Sequence, residues 1–238
     1  MNSLVIDLNA DLAEGAGWDG PLLQVVTSVN LCCGAHAGSV AETDRVLRLA
    51  VAEKQVRPLG IGAHPGLPDR QGMGRTILEY SLENMSDWMN YQVEVLVGLA
   101  EKAGTRLVHL KPHGTLYHMA CSVGEVAAAV VRVAQRFDLA VLGLPASALH
   151  MACQGCVPFW AEGFAERGYT PEGGLIPRGQ LGDLLTDPDA VSAQVGRLAG
   201  DGVATICVHG DSPGALALAI AARRSLALAG YRLQPVST

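Results

Sequence analysis

The chain has 238 residues, 49% of them apolar and 17% charged, so a large core is available to a single domain over 1–238. A net charge of -6 argues against nucleic acid or an anionic membrane as partner, and aromatics at only 5% leave no stacking platform for single strands. Met1-Asn2-Ser3 carries no basic segment, Leu4 to Leu8 is too short for a signal core, and Ala215 to Ala222 falls far short of the ~20 apolar residues of a bilayer span, so a cytoplasmic location is expected.

Seven apolar runs of strand length each lead to a polar residue beside glycine or proline. Val5-Ile6-Asp7-Leu8 leads to Asn9 and Asp11, and Val29-Asn30-Leu31 to Gly34 and His36. Ser39-x-x-Glu42 is a capping box that predicts a helix over 40–54. Leu59-Gly60-Ile61-Gly62 leads to His64-Pro65. A helix over 82–103 follows, with Met85, Trp88, Met89, Leu96, Val97 and Ala100 on its apolar stripe and Gly104 as its stop. Leu107-Val108-His109-Leu110 leads to Lys111-Pro112-His113-Gly114. Ser122-x-x-Glu125 reads as a second capping box, for a helix over 123–136. Val141-Leu142-Gly143-Leu144 leads to Pro145 and Ser147, with a short helix over 147–154. Val157-Pro158-Phe159-Trp160 leads to Glu162-Gly163. The stretch 162–186 is irregular, with Leu175-Ile176 as a short eighth strand ending at Arg178. Asp187-Pro188 and Ser212-Pro213 each set a cap before a first-turn proline, for helices over 188–200 and 213–229. Between them Thr205-Ile206-Cys207-Val208 leads to His209-Gly210-Asp211, and Gly230 ends the last helix.

Strands separated by helices predict an α/β fold: a distorted TIM-like β/α barrel of seven or eight mostly parallel strands. Such a barrel gathers the strand C-termini at one mouth. An open doubly wound sheet would instead need a site at one switch point. Alternation puts Asp7, Asn9 and Asp11 on one face, His109 and Lys111 on one face, and Cys207, His209 and Asp211 on one face, with apolar residues opposite. The polar sets point into the barrel.

Asp11, Lys111, His113, His209 and Asp211 are therefore the catalytic candidates. Asn9, Asn30, His36, His64, Glu162 and Arg178, at or near the other strand ends, are the substrate-binding candidates. Of the three lysines, Lys54 and Lys102 lie toward helix ends, whereas Lys111 stands between two site histidines. It suits a substrate carboxylate or a developing oxyanion, with neutralisation of a buried carboxylate such as Asp7 or Asp11 as the rival role. Arg75 and Arg178 are further anion-binding candidates. A divalent metal is open: His36, His64, His113 and His209 come from four strand ends and with Asp11 could ligate zinc or a similar ion, Asp11, His36 and His64 being the first candidates. No H-x-x-x-H pair supports it, and metal-free acid–base work by the same residues is equally open. Cys153-Gln154-Gly155-Cys156 reads as reduced helix-end thiols rather than a redox or zinc motif. No G-x-x-x-x-G-K-[ST] or strand-linked G-x-G-x-x-G occurs, so any nucleotide is bound in another way or by another chain.

Five segments carry a resemblance: Ile6-Asp7-Leu8-Asn9-Ala10-Asp11 with Glu14-Gly15; Asn30-Leu31-Cys32-Cys33-Gly34-Ala35-His36-Ala37-Gly38; Gly62-Ala63-His64-Pro65-Gly66; Lys111-Pro112-His113-Gly114-Thr115-Leu116-Tyr117; and Val208-His209-Gly210-Asp211. In this order and spacing they resemble the 5-oxoprolinase A-subunit family, also called LamB/YcsF. The resemblance implies a distorted barrel related to polysaccharide deacetylases. It also implies ATP-dependent cleavage of 5-oxo-L-proline to L-glutamate together with subunits B and C, with ATP bound with or by those partners. Ala13 stands where the family usually has glycine, Ala35 where it has an aromatic, Ser39 where it has an acidic residue and Glu166 where it has Asp. None of these departures touches a catalytic candidate. Two other readings are a metal-dependent amide or carbohydrate deacetylase and a non-catalytic lactam-binding subunit.

Overall fold

The computed structural model describes residues 4–77, 79–171 and 173–237. In chain order its elements are β1 (Val5–Leu12), α1 (Asp19–Leu23), β2 (Ser28–Cys32), α2 (Val40–Lys54), β3 (Gly60–His64), α3 (Leu82–Lys102), β4 (His109–Leu110), α4 (Gly114–Ser122), α5 (Gly124–Arg136), β5 (Ala140–Gly143), α6 (Ala148–Cys153), β6 (Phe159–Phe164), α7 (Pro188–Gly200), β7 (Thr205–His209), α8 (Ala215–Leu228) and β8 (Arg232–Leu233). Each of β1 to β7 pairs in parallel with the next, and β7 pairs with β1, which closes a seven-stranded ring. Parallel neighbours need crossovers, and the helices supply them on the outside. Outward-facing Ile6, Leu8, Val29, Leu31, Ile61, Leu110, Ile206 and Val208 are fully buried in one core with the helices. Each such side chain is worth ~1.5–3 kcal/mol relative to exposure, so the apolar face of each strand fixes which face looks inward.

All seven sequence-predicted strands are present. The eighth is not where the pattern placed it. Leu175 makes only an isolated antiparallel bridge with Tyr169. The eighth strand is β8, which pairs with Val5 and Ile6 at the start of β1. Two residues, one of them arginine, carry no apolar run to detect. The segment after β8 closes the floor of the barrel: Val236 packs with Ala140 and Leu142, and its N–H donates to the Ser28 hydroxyl at 3.1 Å.

Ser39 and Asp187 cap α2 and α7 as expected, accepting from Glu42 N and Ala190 N. Ser122 does not open α5. It closes α4, a helix that the sequence pattern does not announce, and its hydroxyl donates back to the His118 carbonyl. Ser212-Pro213 does not start α8 either. That helix begins at Ala215, and the Ser212 hydroxyl turns to Glu166 at 3.2 Å. The cysteines are unpaired thiols, with Cys153 buried and Cys156 exposed at the end of α6. Among the described residues no single helix is long and apolar enough to cross a membrane. α4 and α5 would be together, but they are bent by 112° and bury much of their apolar surface in the fold.

Candidate active site

The inward-facing residues stack from floor to mouth as a hydrogen-bonded column. At the floor, Asp7 accepts from the hydroxyls of Thr27 at 2.8 Å, Ser28 at 2.7 Å and Thr205. Burial pushes its carboxyl up to about 6, against the pull of those three donors. One level up, Asn9 donates to Thr205 Oγ1 at 2.7 Å and to Glu162 Oε1 at 3.1 Å. Its own oxygen accepts from Asn30 at 2.7 Å, and Asn30 also donates to Asp11 Oδ1 at 2.7 Å. The Asn30 oxygen is left to accept from His109 Nε2–H at 2.7 Å. Each bond fixes the orientation of the next, so the column has one arrangement.

His109 is held without room to move. A Cβ at Gly62 would sit 2.1 Å from its ring. Burial, then the Lys111 charge, lowers its pKa to about 3. His109→Gln is accordingly expected to make the fold less acid-sensitive. In the unfolded chain the imidazole binds a proton below about 6.5, whereas in the fold it stays neutral down to about 3. The unfolded state therefore binds more protons as pH falls, and the wild type loses stability. Between pH 6.5 and 5 that loss, relative to the variant, is on the order of 2 kcal/mol. Denaturant melts of both proteins across this window measure it, and parallel curves would acquit His109.

At the mouth stands Lys111, 2% exposed. Its ammonium lies 2.9 Å from Asp11 Oδ1, 3.1 Å from Glu162 Oε1 and 2.9 Å from Cys207 Sγ. Burial alone would lower its pKa, but the neighbouring Asp11 and Glu162 carboxylates hold it well above the ordinary lysine value. Asp11 is the counterpart. Burial opposes its charge, yet His64 and Lys111 hold the carboxyl well below the usual carboxylate range. Its second oxygen faces His64 Nε2 at 3.4 Å and His209 Nε2 at 3.7 Å. His209 stacks on Phe164, and its Nδ1 is bonded to the buried carboxylate of Glu166. Glu166 also accepts from the His209 backbone N–H at 3.1 Å, and its pKa is lowered despite burial by the same histidine. A carboxylate takes the Nδ1–H, which leaves Nε2 as the nitrogen toward Asp11 and the cavity.

Beside this group lies a second. Glu14, His36, His64 and His113 bring one ligand-type atom each to within 4.8 Å of one another. The loop after β1 delivers Glu14 through Ala13, whose φ of 63° is left-handed. Glycine adopts that conformation without strain, whereas alanine holds it at a cost of about 1 kcal/mol, offset here by the Ala13 N–H bond to Asp19 Oδ1 at 2.8 Å.

A cavity of about 600 Å³ opens at this mouth. Of the sequence candidates, Asp11, His64, Arg75, Lys111, His113, His209 and Arg178 line it. Asn9, Asn30, His36 and Glu162 stand behind the wall and hold those that do. Asp211 is drawn aside by Arg75 at 2.6 Å. Of the residues taken from the sequence as metal ligands, His36 and His64 fall in the Glu14 group and Asp11 in a neighbouring one with Cys207 and His209. Sequence reasoning gave no site role to Glu14, Glu166, Tyr117 or Phe164. The first two each follow a strand end by two residues, and that offset was the available signal.

Fold and site together define a parallel β/α barrel with a buried charge cluster under a small-molecule cavity at the strand C-termini. The sequence matches the LamB/YcsF family over residues 6–238, and the chain belongs to that family. It is 42% identical to the A subunit of 5-oxoprolinase from Methylococcus capsulatus, over 94% of this chain and 93% of that one. A crystal structure of the lactam utilization protein of Thermus thermophilus superposes with a TM-score of 0.87 at 33% identity, covering 97% of this chain and 99% of that one. Peptidoglycan deacetylase PdaC of Bacillus subtilis shares the fold, with a TM-score of 0.53 at 16% identity over 99% of this chain and 89% of that one.

Proposed function

We propose that this chain is the A subunit of an ATP-dependent, cytoplasmic 5-oxoprolinase that cleaves 5-oxo-L-proline to L-glutamate together with subunits B and C. The observation that carries this reading is the near-full-length likeness to proteins named as the A subunit of 5-oxoprolinase. The cavity suits the chemistry. The substrate is a small anion, and Arg178 and Arg167 line the mouth where its carboxylate would enter. His209 is the general base, since Glu166 orients it and leaves Nε2 to take a proton from water.

A five-membered lactam is a resonance-stabilised amide with a poorly electrophilic carbonyl. ATP phosphorylation of that oxygen activates the carbon. Water then adds, the ring C–N bond breaks with the nitrogen leaving as the amine of glutamate, and a second water releases phosphate from the acyl phosphate. The nucleotide is supplied with or by the partner subunits, in keeping with the missing phosphate-loop motif. Glutamate release from 5-oxoproline and ATP is expected only when all three subunits are combined. Full activity of this chain alone would overturn the subunit reading, and silence with matched partners would overturn the substrate. The cluster of Glu14 with three histidines favours, as a second reading, a metal-dependent deacetylase. Turnover of N-acetyl substrates, lost on chelation, would support it.

A further inference from the structure

We infer that Glu14, His64 and His113 hold a divalent transition-metal ion at the cavity wall, a binding site that goes beyond the lactam-cleavage reading and does not depend on it. Two ring nitrogens point away from the cluster. His64 Nδ1 lies 2.8 Å from the Lys111 carbonyl oxygen. His113 Nε2 lies 2.7 Å from the Met73 carbonyl oxygen. A carbonyl only accepts, so these nitrogens carry the ring hydrogens. The remaining ring nitrogens, His64 Nε2 and His113 Nδ1, are the ones free to act as ligands, and those two atoms face each other at 2.9 Å.

Glu14 Oε1 joins them at 3.3 Å from His113 Nδ1 and 3.8 Å from His64 Nε2. Three ligand-type atoms thus converge, with no hydrogen between the two ring nitrogens, in a place where all three side chains are at most 3% exposed. Two facing lone pairs repel, and a cation between them removes that repulsion. Ligands about 2.1 Å from one ion lie about 3.0–3.4 Å apart, which the observed separations bracket. Two imidazoles and a carboxylate suit a first-row transition ion such as zinc rather than magnesium or calcium, which take oxygen ligands.

The surroundings are those of a ligand set. Both histidines are locked by backbone carbonyls, the usual way a metal-binding ring is oriented. His36 Nε2 lies 3.1 Å from Glu14 Oε1 and its ring stacks on His113 with centroids 3.7 Å apart, so it positions both. Gly74 leaves the room His113 needs: a Cβ there would lie 2.8 Å from its Cδ2. Asp11 Oδ2, 3.4 Å from His64 Nε2, stands on the cavity side as a further oxygen ligand or as the acceptor for a bound water.

The rival cation is a single proton shared by the two rings. Calorimetric titration of the chelator-dialysed full chain with Zn²⁺ decides between them. One saturable equivalent per chain is expected, together with visible d–d bands on Co²⁺ loading. His64→Gln and Glu14→Gln should each weaken binding by about 100-fold or more, whereas His150→Gln, outside the cluster, should leave it unchanged. X-ray absorption of the loaded wild type, which needs no variant to fold, should show two imidazoles and oxygen donors. Absence of saturable binding, affinity indifferent to both variants, or sulfur in the metal's shell would overturn the assignment.

Discussion

Lys111→Met is expected to destabilise the chain by about 3–5 kcal/mol and to lower the reconstituted rate by about 30- to 1,000-fold in kcat/KM. From the sequence, a role on the substrate carboxylate or oxyanion predicts that the fold survives, because methionine keeps the packing of the stem. The geometry favours the rival. The ammonium sits between Asp11 and Glu162, both of them buried, and Cys207 closes a third side. Removing it leaves two carboxylates facing each other in a dry interior. The denaturation midpoint and the assembled rate, measured together, separate the roles. A stably folded, fully active variant would take Lys111 out of the site.

Asp11→Asn is expected to cost about 10²- to 10⁴-fold in kcat while KM for 5-oxoproline moves only a few-fold. One carboxylate here serves four groups. Oδ1 accepts from Lys111 and Asn30, and Oδ2 faces His64 and His209. An asparagine that keeps its oxygen toward Lys111 turns its amide toward His209 Nε2 and occupies the lone pair of the base. The opposite orientation sets the amide against two donors. Stability should fall less than for Lys111→Met, since Lys111 retains Glu162. Undiminished activity of the assembled complex would support the non-catalytic, lactam-binding reading instead.

The barrel was legible because its strands are short apolar runs punctuated by glycine and proline, and because alternation told the inner face from the outer. Asp11, Lys111 and His209 converge as that alternation requires. What strand alternation could not reach lies beyond it. Glu14 arrives through a left-handed turn at Ala13, Tyr117 from a helix, and Glu166 from the segment after β6. Ser212 matched a helix cap locally, but a buried carboxylate offered its hydroxyl a better partner. β8 pairs through two residues only, and its place depends on a distant strand rather than on its own composition.

A chain leaving the ribosome makes β1 first and most of that strand's partners last. Thr205 serves Asp7, Glu162 serves Asn9, His209 faces Asp11, and Arg232 pairs with Val5. Until those residues emerge, the carboxylates of β1 keep their water and the ring stays open, whatever the helices have already done. Interior desolvation is therefore a late event of high sequence separation, which slows it. A nascent protein stalled before β7 carries two unpaired parallel edges around a wet centre, the kind of species that aggregates unless it is shielded.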